Sequence, residues 1–110
     1  MEKVAKGFDK EKIFRFPGMI QYSDGGIVSR QVIKTEHGNV SLFSFDAGEG
    51  LSEHSAPFDA LVQVIEGTAG ITIGGKMHTL DEGDSIIMPA SVPHAVHAPR
   101  KFKMILTMIK

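Results

Sequence analysis

Glycine and proline recur along this chain at intervals of roughly 8 to 12 residues. These turn-forming positions include the pairs Gly25-Gly26 and Gly74-Gly75, the single glycines Gly67 and Gly83, and Pro89. Short segments rich in Val, Ile and Phe lie between them. Strands separated by turns at this spacing are typical of an all-β sandwich or barrel. The spacing therefore predicts an all-β fold and leaves little room for helix.

The segments between these positions predict the individual strands. Ile27–Thr35 and Val40–Phe45 flank a turn sequence at 36–39, which predicts a β-hairpin. The tripeptide Glu66-Gly67-Thr68 has the composition of a turn, so we expect separate strands on its two sides. The remaining predicted strands are Leu61–Ile65, Ala69–Ile73, Lys76–Leu80, Ser85–Met88 and Phe102–Ile109.

The first 26 residues differ from the rest of the chain. We expect residues 1–26 to form an N-terminal arm or edge strand, and residues 27–110 to form a single barrel domain. Asp9 is a suitable N-cap for a short helical turn over Asp9–Lys12, and Pro17-Gly18 should end it. One such turn is the most helix that the sequence predicts.

Composition excludes several classes of function. The 110 residues contain 12 Lys and Arg against 13 Asp and Glu, a net charge of -1 that gives no electrostatic reason to expect a nucleic acid or an anionic membrane as partner. The absence of Cys excludes disulfides, iron–sulfur clusters and thiolate zinc sites. Residues 1–16 lack the apolar stretch of a secretion signal, and no apolar run approaches the length of a membrane span. We therefore expect a cytoplasmic domain.

Two histidines occur in similar settings. His54 lies six residues after Gly48, and His94 lies eleven residues after Gly83. Each is placed to enter a further strand, additional to those above, from a turn bounded by Gly or Pro. One histidine on an apolar strand is more often a packed residue than a ligand. Two such histidines favour a ligand-binding site, because side chains converge at the mouth of a barrel.

The stretch Gly48–Ala98 resembles the two sequence motifs of the small-barrel cupins. Six residues occupy motif positions, three in each motif: Gly48, His54 and Gly67, then Gly83, Pro89 and His94. The resemblance implies a double-stranded β-helix, or jelly roll, built from two antiparallel sheets. It also implies a homodimer, with Leu61, Ile65 or Ile105 on the shared surface.

The departures from the motifs concern the metal ligands of the family. In metal-binding cupins two motif-one histidines, a Glu or Gln and the motif-two histidine coordinate the ion. Here Ala56 stands at the second histidine position and Ala60 at the Glu or Gln position. Only His54 and His94 remain, so the resemblance implies a degenerate site for Zn, Fe, Mn or Ni, weaker than one with three protein ligands.

A third ligand has two candidates. The resemblance implies that Ala60 faces inward, so alternation along the strand points Asp59 outward, and Asp59 reaches the site only if the strand bulges near Pro57. Glu49 lies on a glycine-flanked loop that allows it to swing over the mouth. Either carboxylate would complete a two-histidine, one-carboxylate triad.

The expected pocket combines these positions with the inward-facing residues that the resemblance implies. They are His54, Ala56, Ala60, Val62, His94 and Val96. The two alanines widen the cavity, which favours an organic molecule near the histidines. The first hypothesis is therefore a small-molecule binding protein. The alternative is a metal-dependent enzyme, a dioxygenase, isomerase or lyase acting on a small organic acid. A purely structural role is a third alternative.

Overall fold

A computed structural model describes residues 2–110 and contains nine strands and one short 3-10 turn over those residues. The strands are β1 (Glu2–Ala5), β2 (Ile27–Thr35), β3 (Gly38–Phe45), β4 (Gly50–His54), β5 (Ala60–Ile73), β6 (Lys76–Asp81), β7 (Ser85–Met88), β8 (His94–His97) and β9 (Phe102–Ile109). The 3-10 turn covers Phe16–Met19. The predicted all-β fold is confirmed, and no helix among the described residues is long and apolar enough to cross a membrane.

The strands form two facing sheets that share β5. Sheet A has the order β1-β2-β3-β9-β5-β7, and sheet B has the order β6-β5-β8-β4. Every pairing is antiparallel except that of β1 with β2, which is parallel. The two curled sheets enclose an apolar core, which is the jelly-roll arrangement predicted from the sequence.

The prediction that Glu66-Gly67-Thr68 separates two strands was wrong. β5 runs without interruption from Ala60 to Ile73, and Gly67 lies inside it with φ at +79°. The pairing with β9 shifts register between Val64 and Glu66. A bulge of this kind bends a strand without ending it. The bend sends the first half of β5 into sheet A and its second half into sheet B.

The expected helical turn was misplaced. Asp9–Lys12 contains a turn but no helix, and the 3-10 turn follows at Phe16–Met19. Pro17 opens this turn rather than ending a helix, because its fixed φ and missing N–H suit the first turn. The segment after β1 crosses the outer face of sheet A. The Lys103 ammonium donates to the Pro17 carbonyl at 2.7 Å, and the Arg30 guanidinium donates to the Met19 carbonyl at 2.6 Å.

The core has two parts. The larger lies between the sheets, where the rings of Phe45 and Phe102 stack with their centroids 4.5 Å apart. The smaller lies under the N-terminal segment and contains Ile20, Leu42 and Ile105. Ile105, predicted on a shared surface between subunits, is thus covered by residues of its own chain, and Ile65 packs against the same cluster.

A cavity marked by two histidines

A cavity of about 200 Å³ lies between the two sheets at one end of the barrel. Five of the six residues predicted for the pocket line it: His54, Ala56, Ala60, His94 and Val96. The sixth, Val62, is fully buried in the adjoining core and is not part of the lining. Alternation of side chains along β5 and β8 brings Ala60, His94 and Val96 to the space between the sheets. His54 ends β4, and Ala56 lies in the segment between β4 and β5.

The two histidines are direct neighbours across sheet B. His54 at the end of β4 pairs with His94 at the start of β8. Their ring centroids lie 4.4 Å apart and the rings meet edge to face, at 69°. The cross-strand pairing therefore brings together two imidazoles that are forty residues apart in the sequence.

Backbone carbonyls orient both rings. The Nδ1 atom of His54 lies 2.9 Å from the Ser52 carbonyl oxygen, and Nδ1 of His94 lies 3.3 Å from that of Val92. A carbonyl oxygen only accepts hydrogen bonds, so each Nδ1 must be the N–H that donates. In the neutral form Nε2 then carries the lone pair of each ring. Both rings are thus arranged to accept a hydrogen bond, or to ligate a cation, through Nε2.

The two rings differ in burial and therefore in electrostatic environment. His94 is 6% exposed, whereas His54 is exposed at the rim of the cavity. Burial lowers the pKa of His94 below its ordinary 6.5, the hydrogen bond to Val92 opposes this, and charge on His54 adds to the lowering. His94 is therefore held in its neutral form near pH 7.

The rest of the lining is mainly apolar. Methionines contribute three residues to the lining, Met88 on β7 and Met104 and Met108 on β9. Glu2 on β1 also lines the cavity, and it is an exposed residue. Glu2 is not among the residues predicted for the pocket, because no sequence pattern signals that the N-terminal strand reaches the cavity. A few polar groups in a mainly apolar concavity are typical of small-molecule sites.

Neither candidate for a third metal ligand lines the cavity. The Asp59 carboxylate accepts a hydrogen bond from the Ala90 backbone N–H at 2.8 Å. Glu49 lies in the turn before β4, where its carbonyl accepts from Ala98 N–H at 2.8 Å. Within residues 2–110 no group of three or more His, Asp or Glu side chains is placed to hold an ion. The donor set offers two imidazoles, which does not fit a catalytic centre with three protein ligands.

Larger clefts occur beside the N-terminal segment. One of about 550 Å³ includes Phe8 and Phe14, and another of about 440 Å³ includes Lys3 and Arg30. Both are more open than the histidine cavity and neither contains a histidine. The histidine cavity is therefore the better candidate site.

The barrel of two facing sheets with paired histidines in its cavity defines this chain as a jelly-roll β-barrel protein. Comparison with known sequences identifies the family. The family model described as Cupin domain matches residues 41–110. This chain belongs to the cupin family.

Individual relatives agree with this assignment. The conserved SPY1581 protein of unknown function from Streptococcus pyogenes has a similar structure, with a TM-score of 0.89 and 31% identity over 94% of this chain and 90% of that one. A cupin 2 conserved barrel domain protein from Leptotrichia buccalis superposes with a TM-score of 0.85 and 36% identity, over 88% of this chain and 47% of its own length.

A sequence relative is the uncharacterized protein SCO3923 of Streptomyces coelicolor. It is 30% identical over 67 residues, or 61% of this chain. The match spans 64% of the length of that curated relative. The two solved structures support the barrel fold.

Proposed function

We propose that this cupin binds a small, largely apolar organic molecule in the cavity, with the polar group of that molecule at His54 and His94. The observation that carries the proposal is the convergence of two oriented imidazoles on an enclosed space that is otherwise mainly apolar. Ala56 and Ala60 add room beside the histidines, where larger ligating side chains stand in metal-binding cupins.

The state of the histidines defines the polar group that the ligand should carry. A neutral ring accepts a hydrogen bond at Nε2, so it suits a hydroxyl group or a protonated acid. The volume of about 200 Å³ lies below the usual 300 to 1,000 Å³ of ligand pockets, so the ligand should be small.

A thermal-shift panel of small phenols, hydroxy acids and carboxylic acids tests this proposal. A ligand at about 100 times its Kd should stabilise the fold by roughly 2.7 kcal/mol. His54→Ala and His94→Ala should each abolish the shift. His97→Ala is the matched control, because His97 is exposed on β8 and lies outside the cavity lining. A shift that survives both cavity substitutions would refute the proposal.

The second candidate is a metal-dependent enzyme acting on a small organic acid. The orientation of both rings supports it, since metal-ligating histidines usually donate their other N–H to a carbonyl or carboxylate. His54 and His94 would be the protein ligands of a divalent ion such as Zn, Fe, Mn or Ni. Metal analysis of dialysed protein tests this candidate: near-stoichiometric metal that is lost in His54→Ala and His94→Ala supports it, and metal content unchanged by both substitutions refutes it.

The homodimer and the cytoplasmic location stay predictions. Light scattering after size-exclusion chromatography measures the assembly directly. Ile105 is covered within the chain and Ile65 packs against the same cluster, so Leu61 remains from the predicted dimer surface. Exposed apolar residues such as Ile33, Ile87 and Ile109 are further candidates.

A further inference from the structure

Two methionines flank the alanine that replaces the family's acidic ligand. Ala60 on β5 is the direct cross-strand partner of Met88 on β7 and of Met108 on β9. Directly paired residues point to the same face of a sheet, with Cβ atoms about 5 Å apart. All three residues line the histidine cavity. A row of thioether, methyl and thioether groups therefore stands at the position where metal-binding cupins carry a carboxylate or amide.

The two histidines complete the set from the other sheet. His54 and His94 lie on β4 and β8 of sheet B, and they line the same cavity as Met88 and Met108 of sheet A. The small side chain of Ala60 leaves space between the two methionines. Methionine has three rotatable bonds and adapts readily to such space.

The chemistry of this donor set selects a particular kind of ion. Imidazole nitrogen and thioether sulfur are neutral ligands, and thioethers prefer soft ions such as Cu(I) over hard divalent ions. A single positive charge costs less to transfer into an apolar cavity than a double charge. We propose that His54, His94, Met88 and Met108 form a binding site for Cu(I). The site uses the same cavity as the proposed organic ligand but does not depend on the existence of that ligand.

The third cavity methionine occupies a different level of the barrel. Met104 pairs with Val64 on β5 and with Phe43 on β3. Four residues along a strand separate it from Met108, a backbone distance of about 13 Å. Met104 is also only 1% exposed. We therefore assign it to packing and restrict the Cu(I) site to the two methionines beside Ala60.

Anaerobic titration of the full chain with Cu(I), in competition with bathocuproine disulfonate, tests the site. We expect one Cu(I) per chain. The double substitution Met88→Leu and Met108→Leu should weaken Cu(I) binding about tenfold or more, since even the loss of groups that only orient ligands commonly costs that much. Methionine-to-leucine changes conserve volume and should keep the fold. Met77→Leu is the matched control, because Met77 is exposed on β6.

Spectroscopy and a second metal make the result specific. X-ray absorption at the copper edge should show sulfur neighbours in the wild type and lose them in the double variant, while Zn(II) affinity should be equal in both proteins. Unchanged Cu(I) affinity in the double variant, or a copper spectrum without sulfur, would overturn the proposal. The organic-ligand panel can be run on the same double variant without metal. Its result is independent of the copper result, because the organic-ligand proposal depends on the histidines and not on the methionines.

Discussion

His54 and His94 pair across sheet B with their rings 4.4 Å apart, one exposed and the other almost fully buried. The close approach means that each ring contributes to the electrostatic environment of the other. Burial lowers the pKa of the inner ring, that of His94. The cavity therefore contains one ring that solvent reaches and one that the fold keeps neutral.

The burial of His94 should make the fold less stable in acid. Burial lowers the pKa of His94 in the folded state below 6.5, so above that pH the ring is neutral in both states. As the pH falls below 6.5, the unfolded chain binds the proton first and stability decreases. We expect the melting temperature of wild type to fall more steeply below pH 6.5 than that of His94→Gln. Equal slopes would contradict the prediction, and His37→Gln, in an exposed turn, is the control.

The same pair predicts a shift that NMR can measure. His54→Ala removes a neighbouring charge and opens the cavity to water, and both effects favour protonation of His94. We expect the pKa of His94, followed through its ring protons, to rise in this variant. A pKa that stays the same or falls would show that His54 does not influence His94.

Rebuilding the family's ligand set should create a divalent metal site. Ala56→His combined with Ala60→Glu would place four ligands around the cavity that His54 and His94 already line. We expect Zn(II) affinity, measured by competition with a chromophoric chelator, to rise by at least about tenfold over wild type. In the control protein, Glu53→His adds an imidazole on an exposed residue outside the lining, and its Zn(II) affinity should stay at the wild-type level.

Gly67 should be intolerant of any side chain. Its φ is +79°, and a Cβ atom there would overlap the carbonyl oxygen of Lys101 and crowd the backbone of Phe102. Gly48 has a similar φ of +86° but open space around it. We expect Gly48→Ala to cost about 1 to 2 kcal/mol, from backbone conformation alone, and Gly67→Ala to cost clearly more in urea denaturation. Equal costs would mean that β5 bends freely at Gly67.

A buried ammonium group anchors the N-terminal segment. Lys103 is 6% exposed, donates to Pro17 and lies 3.3 Å from the Glu66 carboxylate, which also accepts from the Tyr22 hydroxyl. Lys103→Met should cost about 1 to 3 kcal/mol by leaving these acceptors unpaired. It should also speed proteolysis of residues 6–26. Lys76→Met, an exposed change on β6, should do neither.

Much of the barrel could be predicted from sequence, because the strand ends coincide with residues of strong local preference. The bounds Ile27–Thr35, Ser85–Met88 and Phe102–Ile109 match the structure. The sequence predicts a turn at Gly67 where the structure has a bend, because a glycine inside a strand and a glycine in a turn have the same local signature. Tertiary pairing, which local sequence does not encode, decides between them.

The candidate site could be predicted only in part, because some of its residues are brought to the cavity by strand pairing that local sequence does not encode. The motif resemblance located His54 and His94, and it also located Ala56 and Ala60 at the two replaced ligand positions. The positions of Met88 and Met108 beside Ala60 depend on which strands pair and in what register. Glu2 reaches the lining only because β1 joins the edge of sheet A. Neither fact follows from the spacing of residues along the chain.

The sharing of β5 between the sheets has a consequence for how the molecule opens. Val62 pairs within sheet A and Ile71 within sheet B, yet both belong to one continuous strand. Neither sheet can lose this strand without disturbing the other, so the two halves should form a single cooperative unit. Amide hydrogens at these two positions should therefore exchange through the same global unfolding event, whereas β4, paired only with β8, is free to fray by itself and uncover the cavity.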